Sequence, residues 1–152
     1  MQNSQILLNP LEFQKKLIKA RNGIEQETAK IILKFEEVII DLIREKQLFD
    51  KGIDGKGKRI KPEYSPFTVA FKKIKGDKSD HVTLFDTGAL YKSFTTDYGS
   101  FQLEVFPTDQ KSDELMRKYG DDIFSMTVAN QKELNFKIIL PELQKFVKRT
   151  IQ

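Results

Sequence analysis

The sequence predicts a single α+β domain in which an N-terminal helix pair, one helix of it long, packs on a small antiparallel β-sheet. Two observations indicate this: apolar residues recur every three or four positions from residue 24 to about 48, and two segments near residue 100 alternate apolar and polar side chains. The chain has 152 residues, a length that supports one hydrophobic core. We expect N-terminal helices at 9–48, a basic loop at 50–63 and an α+β core at 64–152.

The first helix of the pair is predicted to begin at Asn9-Pro10, an N-cap residue followed by proline at the first helical position. The run Arg21-Asn22-Gly23 indicates a stop or kink, after which a longer helix begins at Ile24. Leu33 and Ile40 lie off the centre of its apolar stripe, so we expect them to cover a neighbouring subunit. The stripe itself comprises Ile24, Thr28, Ile31, Ile32, Phe35, Val38, Ile39, Leu42 and Ile43.

Glycines 52, 55 and 57 and a run of cations follow Phe49, which is typical of an exposed, mobile loop. The glycine spacing does not match a phosphate-binding loop, and no helix opens directly behind it. The cations of this loop are Lys51, Lys56, Lys58, Arg59 and Lys61.

Ser65-Pro66 predicts a second capped helix, which ends at Gly76. Phe67, Ala70, Phe71 and Ile74 have helical spacing and are expected to face the core. Lys72, Lys73 and Lys75 are then expected to project from the opposite side. A nucleic-acid-binding module is an alternative function, because the cations of the basic loop and of this helix lie near aromatic residues.

Other residue types exclude several kinds of site. The chain has no cysteine, so it has neither a disulfide nor a cysteine zinc site. His81 is its only histidine, lies in a charged stretch, and is predicted to be a solvated loop residue. No apolar run is long enough for a membrane span, and the N-terminus does not resemble a signal peptide. We expect a soluble, unexported chain with no metal and no cofactor.

The Asp86-Thr87-Gly88 sequence matches the motif around the catalytic aspartate of pepsin-like proteases, and one copy per chain would be typical of the retroviral type. The high helix content and the lack of a glycine-rich flap sequence disfavour a protease. A tight turn also explains the glycine, and we predict that Asp86 caps the backbone N–H groups of the next turn.

The rest of the chain is predicted to form a hairpin and helices. The turn is expected at residues 97–100, with a strand over 101–106. A short helix is expected from Ser112 to Lys118. A final helical region should begin at the capping residue Thr127 and be kinked or broken at Pro141.

The ordered set of motifs resembles a family of tailed-phage proteins, the virion morphogenesis, tail-completion or neck proteins. The matching stretches are Tyr64-Ser65-Pro66, Thr68 with Lys72, residues 84–90 with Ser93-Phe94, and Tyr119-Gly120 followed by Ile123-Phe124. The motif turn comprises Asp86, Thr87, Gly88, Leu90 and Ser93. Many family members have an arginine where this chain has Ala89.

The resemblance implies a structural protein with no catalytic residue, a ring of six or twelve copies in the virion neck. Its partners would be copies of itself, portal or connector proteins and tail proteins, with non-specific contact to DNA in the channel. It would be made in the cytoplasm of the bacterial host and would not contact a membrane. A closed ring needs two complementary faces on each subunit. The candidate interface residues are Lys51, Lys56, Lys58, Arg59, Lys61, Lys72, Lys73, Leu33 and Ile40.

Overall fold

The computed structural model describes residues 9–152 and confirms the α+β class. Helices α1 (Pro10–Lys34) and α2 (Glu36–Ile43) are followed by a π-helical segment, Arg44–Lys51. Then come α3 (Pro66–Lys75), the single turn α4 (Ala89–Lys92), strands β1 (Phe94–Gly99) and β2 (Gln102–Pro107), α5 (Ser112–Tyr119) and a 3-10 turn, Asp121–Phe124. The last elements are α6 (Val128–Leu134), a π-helical segment, Asn135–Ile139, and α7 (Leu140–Ile151).

The first helix does not stop at Gly23, as the sequence predicted, but continues to Lys34, and the break lies at Phe35. Gly23 has a packing role instead. A Cβ atom built on it would lie 3.0 Å from the Phe146 ring, so the glycine lets α7 approach α1 closely. Helices α1 and α7 are antiparallel: Lys34 pairs with Glu142, and Arg149 pairs with Glu27.

The core lies at the far end of this helix pair, where α2 meets the hairpin and the loops. Ile39, Ile43, Leu48 and Ile123 are fully buried there. Ile40 is also buried, with 1% of its surface exposed, which contradicts the expectation that it faces a neighbouring subunit. Val38, expected in the core stripe, is exposed instead. The rest of the stripe continues across the break at Phe35, because Ile32, Phe35, Ile39 and Leu42 belong to one hydrophobic cluster.

The hairpin is the antiparallel pair β1–β2. Its tip is Ser100-Phe101, both with positive φ, so the turn is centred two residues after the Tyr98-Gly99 centre of the turn predicted at 97–100. Two positive φ values are typical of a type I′ hairpin turn. Leu103 and Val105 alternate with exposed Glu104, as predicted for β2.

Pro141 lies in the first turn of α7, as expected, and the π-helical segment before it accommodates the missing N–H. The predicted caps are confirmed at Asn9 and Thr127, whose side chains accept hydrogen bonds from the backbone N–H groups of Glu12 and Asn130. None of the helices in residues 9–152 is long and apolar enough to cross a membrane.

Candidate interaction surfaces around the Asp-Thr-Gly turn

Helix α3 turns a different side to the protein than predicted, although Lys73 and Lys75 are exposed as expected. Phe67, Phe71 and Ile74, expected in the core, are 80%, 53% and 85% exposed. Lys72, expected on the surface, is buried with 7% of its area exposed. The predicted helical spacing was right, but the side that faces the protein is the one that carries the lysine. We call Phe67, Phe71 and Ile74 the α3 stripe.

Lys72 is buried because it has a specific partner. Its Nζ atom donates a hydrogen bond of 2.5 Å to the carbonyl oxygen of Phe85, and it lies over the Tyr64 ring, 5.1 Å from the centroid. A buried ammonium is tolerated where hydrogen bonds and an aromatic face replace water. Lys72 therefore holds α3 against the segment that leads into the Asp-Thr-Gly turn and is not a free surface cation.

A second set of hydrogen bonds, centred on Thr83, holds the same segment. Thr83 is 1% exposed, and its backbone N–H donates to the Tyr64 hydroxyl oxygen at 3.0 Å. Its carbonyl oxygen accepts a hydrogen bond of 2.5 Å from the Tyr91 hydroxyl group. Burial, the largest cause, raises the pKa of Tyr91, so this hydroxyl remains a donor at neutral pH. The motif turn is thus attached to both α3 and α4.

Asp86 itself is exposed and forms an ion pair. Its carboxylate lies 2.8 Å from Lys75 Nζ, and Lys75 also lies 3.3 Å from Asp77. The hydrogen bond from Lys75 holds the pKa of Asp86 below its usual value. The prediction that Asp86 caps the next turn is wrong, because the backbone N–H of Ala89 donates to Thr87 Oγ1 instead.

The other motif residues have architectural contacts. Gly88 has φ of 84° and precedes α4. Leu90 is buried in the core. Ser93 Oγ donates to the Leu90 carbonyl oxygen at 2.7 Å and accepts from the Asp109 N–H at 3.1 Å, so it ties α4 to the chain after β2.

A groove of about 350 Å³ lies between α3, the motif turn and α5. Phe71 of the α3 stripe, Leu84, Leu115 and Tyr119 contribute apolar side chains to it. Leu84 has a φ of 58°, which is rare for a residue with a branched side chain. The α3 stripe and this groove together form a mostly apolar surface next to the motif turn.

The segment 50–63 has a defined conformation in the structure, and its predicted mobility stays a prediction. Asp54 Oδ1 accepts hydrogen bonds of 2.9 Å from the N–H groups of Lys56 and Lys58, and Ile60 is buried in the core. Lys56 also pairs with Asp122, and the Arg59 guanidinium donates to the Asp80 carbonyl oxygen. The cations Lys51, Lys58 and Lys61 are exposed and have no ion pair within residues 9–152.

His81 is not solvated, contrary to the prediction. It is 5% exposed, Nε2 lies 2.7 Å from the Phe49 carbonyl oxygen, and Nδ1 lies 2.9 Å from an Asp80 carboxylate oxygen. Gly52, at φ of 60°, packs directly on its ring, since a Cβ there would lie 2.3 Å from His81 Cδ2. The only histidine therefore fastens the basic loop to the end of the helical region. No group of metal-binding side chains occurs in the described part of the chain.

Of the predicted interface residues, Leu33 is 70% exposed and Lys73 is exposed, while Ile40 and Lys72 are buried. The sequence analysis missed the α3 stripe. The one residue that could have predicted it is Tyr64, whose ring lies against the buried Lys72. No known family model matches this chain, and comparison with curated proteins and with solved structures finds no similar protein.

Proposed function

We propose that this protein is a structural component of the tailed-phage neck, where its copies form a ring between portal and tail. The observation that supports this most directly is the α3 stripe. Three large apolar side chains lie in water on a helix that the protein anchors by a buried lysine. Exposed apolar side chains grouped on one helix mark a site where another protein binds.

The motif turn supports a scaffolding role rather than a catalytic one. Asp86 is paired with Lys75, whereas an aspartic protease needs two carboxylates that share a proton. The hydrogen bond from Lys75 lowers the pKa of Asp86, so this side chain is a carboxylate held by a cation. The turn leads into the single helical turn α4 and fixes α3 in place.

The two classes of contact expected of a neck protein correspond to different surfaces. The α3 stripe and the adjoining groove offer an apolar site for a portal or tail protein. Leu33, two residues before the break at Phe35, is exposed and remains a candidate for contact between copies. Lys72 and Ile40 are removed from the proposed interface because both are buried.

Imaging of particles encoded by the same genome tests this function. Antibody labelling of purified virions should mark the junction of head and tail, and particles made without the protein should fail to join heads to tails. Replacement of Phe67 and Ile74 by serine should prevent joining while the protein still folds. Particles that contain no copy of this chain, or that join normally without it, would exclude the proposal.

A nucleic-acid-binding module remains the second candidate, because exposed Phe67 and Phe71 are available to stack bases and Lys51, Lys58 and Lys61 are unpaired in the described chain. Titration of DNA binding against salt separates the two. A module of this kind loses affinity steeply as salt rises, with a slope that falls when Lys58 and Lys61 are changed to glutamine.

A further inference from the structure

The α1–α7 pair extends away from the core as an incompletely covered two-helix arm. Within residues 10–19 no side chain is buried, and Lys16 Nζ donates to the last carbonyl oxygen of the chain, that of Gln152, at 2.8 Å. One face of α1 carries Leu11, Lys15, Ile18 and Lys19 at helical spacing, with Leu11 69% and Ile18 41% exposed. We call this face the arm tip.

The arm tip is strongly cationic. Residues 9–21 and 147–152 together carry six cations and one acid, Glu12. Lys15 is paired with that acid, and Lys19 has no ion pair within residues 9–152. Two arm tips would repel each other, so the surface that covers Leu11 and Ile18 must be acidic.

The same chain carries an acidic surface at its other end, on the hairpin. Residues 97–122 contain seven acids and three cations. Asp97 lies directly opposite Glu104 in the antiparallel register, and both are exposed. Like charges in directly opposed positions destabilise a hairpin, and no cation within residues 9–152 pairs with either carboxylate, so a cation from another molecule would relieve this repulsion.

An apolar groove adjoins these acids. It has a volume of about 750 Å³ and lies between α1, the hairpin and the α6–α7 helices. Glu104 and Asp121 line it together with Leu103, Phe124 and Met126. The Tyr98 hydroxyl group, also at the groove, is buried without a hydrogen-bond partner among the described residues. The groove therefore offers what the arm tip lacks, namely apolar cover bordered by negative charge.

We infer that the arm tip of one copy docks in the hairpin groove of a second copy. The contact cannot form within one chain, because Leu11 and Ile24, the first α1 residue that lines the groove, lie on one rigid helix and 13 residues apart, roughly 20 Å along its axis. The two faces differ, so each copy has one of each and the contact is head-to-tail. This inference rests on the proposed ring and names the subunit contact in it.

Paired charge reversals test the docking. The first variant carries Lys15→Glu and Lys19→Glu, and the second carries Glu104→Lys and Asp121→Lys. Each alone should lose at least tenfold in self-association, measured by mass photometry and sedimentation of the full chain at low salt. Mixing the two should restore assembly, because each mixed contact again joins opposite charges. A chain with all four changes should also assemble.

The controls separate this inference from the ring itself. Reversal of Lys92 and Lys132, two exposed lysines elsewhere, should leave assembly unchanged within twofold. Circular dichroism verifies that each variant is folded. If the unaltered chain forms rings that none of the reversals affects, the docking is wrong and the ring stands. If the unaltered chain stays monomeric up to about 100 μM while it still occupies the virion neck, the self-docking is wrong and another neck protein covers the arm tip. A monomer that is absent from virions overturns both.

Discussion

Lys72 Nζ donates a hydrogen bond to the carbonyl oxygen of Phe85 across 2.5 Å, and Lys72 lies on the side of α3 that faces the protein. The alternative orientation would bury Phe67 and Phe71 and release the lysine. The ammonium group, the Tyr64 ring and the Thr83 network together favour the orientation observed. The α3 stripe is therefore exposed on the side of the helix opposite these polar contacts.

We expect Lys72→Met to lower the free energy of unfolding by about 1–3 kcal/mol, since the Phe85 carbonyl oxygen loses its donor. Urea denaturation monitored by circular dichroism measures this. Lys73→Met is the matched control, because Lys73 is exposed, and its effect should remain within about 0.5 kcal/mol. Equal effects of the two substitutions would show that the Lys72 contact contributes nothing.

Gly52→Ala should destabilise the protein more than Gly57→Ala. Both glycines have a left-handed backbone, with φ of 60° and 76°, so both variants lose about 1 kcal/mol to backbone strain. Only at position 52 does the added methyl group also meet the His81 ring, at 2.3 Å. Thermal unfolding compares the two variants, and equal shifts in Tm would mean that the histidine does not hold the loop.

Glu104→Lys should raise the stability of the isolated subunit while it weakens self-association. It replaces the opposed pair of Asp97 and Glu104 by opposite charges, worth about 0.2–1 kcal/mol. Glu104→Gln should stabilise by a smaller amount, because it removes repulsion without adding attraction. Unfolding measured at a concentration where the chain is monomeric gives both values. A loss of stability in Glu104→Lys would contradict the assigned register.

The ion pair of Asp86 with Lys75 should contribute its full stability above about pH 4 and lose it progressively at lower pH. The folded-state pKa of Asp86 lies below its unfolded value, so its contribution is complete above the unfolded pKa and is lost as the pH falls through the folded one. The Asp86 side chain is 68% exposed, which limits the effect to less than about 1 kcal/mol. A double-mutant cycle of Asp86→Asn with Lys75→Met, at pH 7 and pH 3, measures it.

The same Asp86→Asn variant addresses catalysis. A structural turn predicts no change in peptide cleavage between the variant and the original chain, since neither cleaves. Incubation with a mixed peptide library, analysed by mass spectrometry, is the measurement. Cleavage that disappears in Asp86→Asn would establish a protease.

Local signals in the sequence were sufficient to locate several helix starts and one strand. Proline after a capping side chain located the starts of α1 and α3, and alternation located β2. These features depend on residues within one turn of each other. The α+β class followed from them.

The roles of Gly23, His81 and Lys72 could not be predicted from the sequence, because they depend on contacts between residues far apart in the chain. Gly23 has the residue type of a helix stop, but its role is set by Phe146, more than 100 positions away. His81 is buried by Phe49 and Gly52, and Lys72 by Phe85. Periodicity identifies an amphipathic helix but not which of its faces turns inward when a lysine has a buried acceptor.

The exposed apolar side chains of α3 also affect the solubility of the protein. A newly folded copy exposes Phe67, Phe71 and Ile74 to solvent until a binding partner covers them. Under the proposed function, the protein should therefore aggregate less at high concentration when the neck protein that covers α3 is produced at the same time.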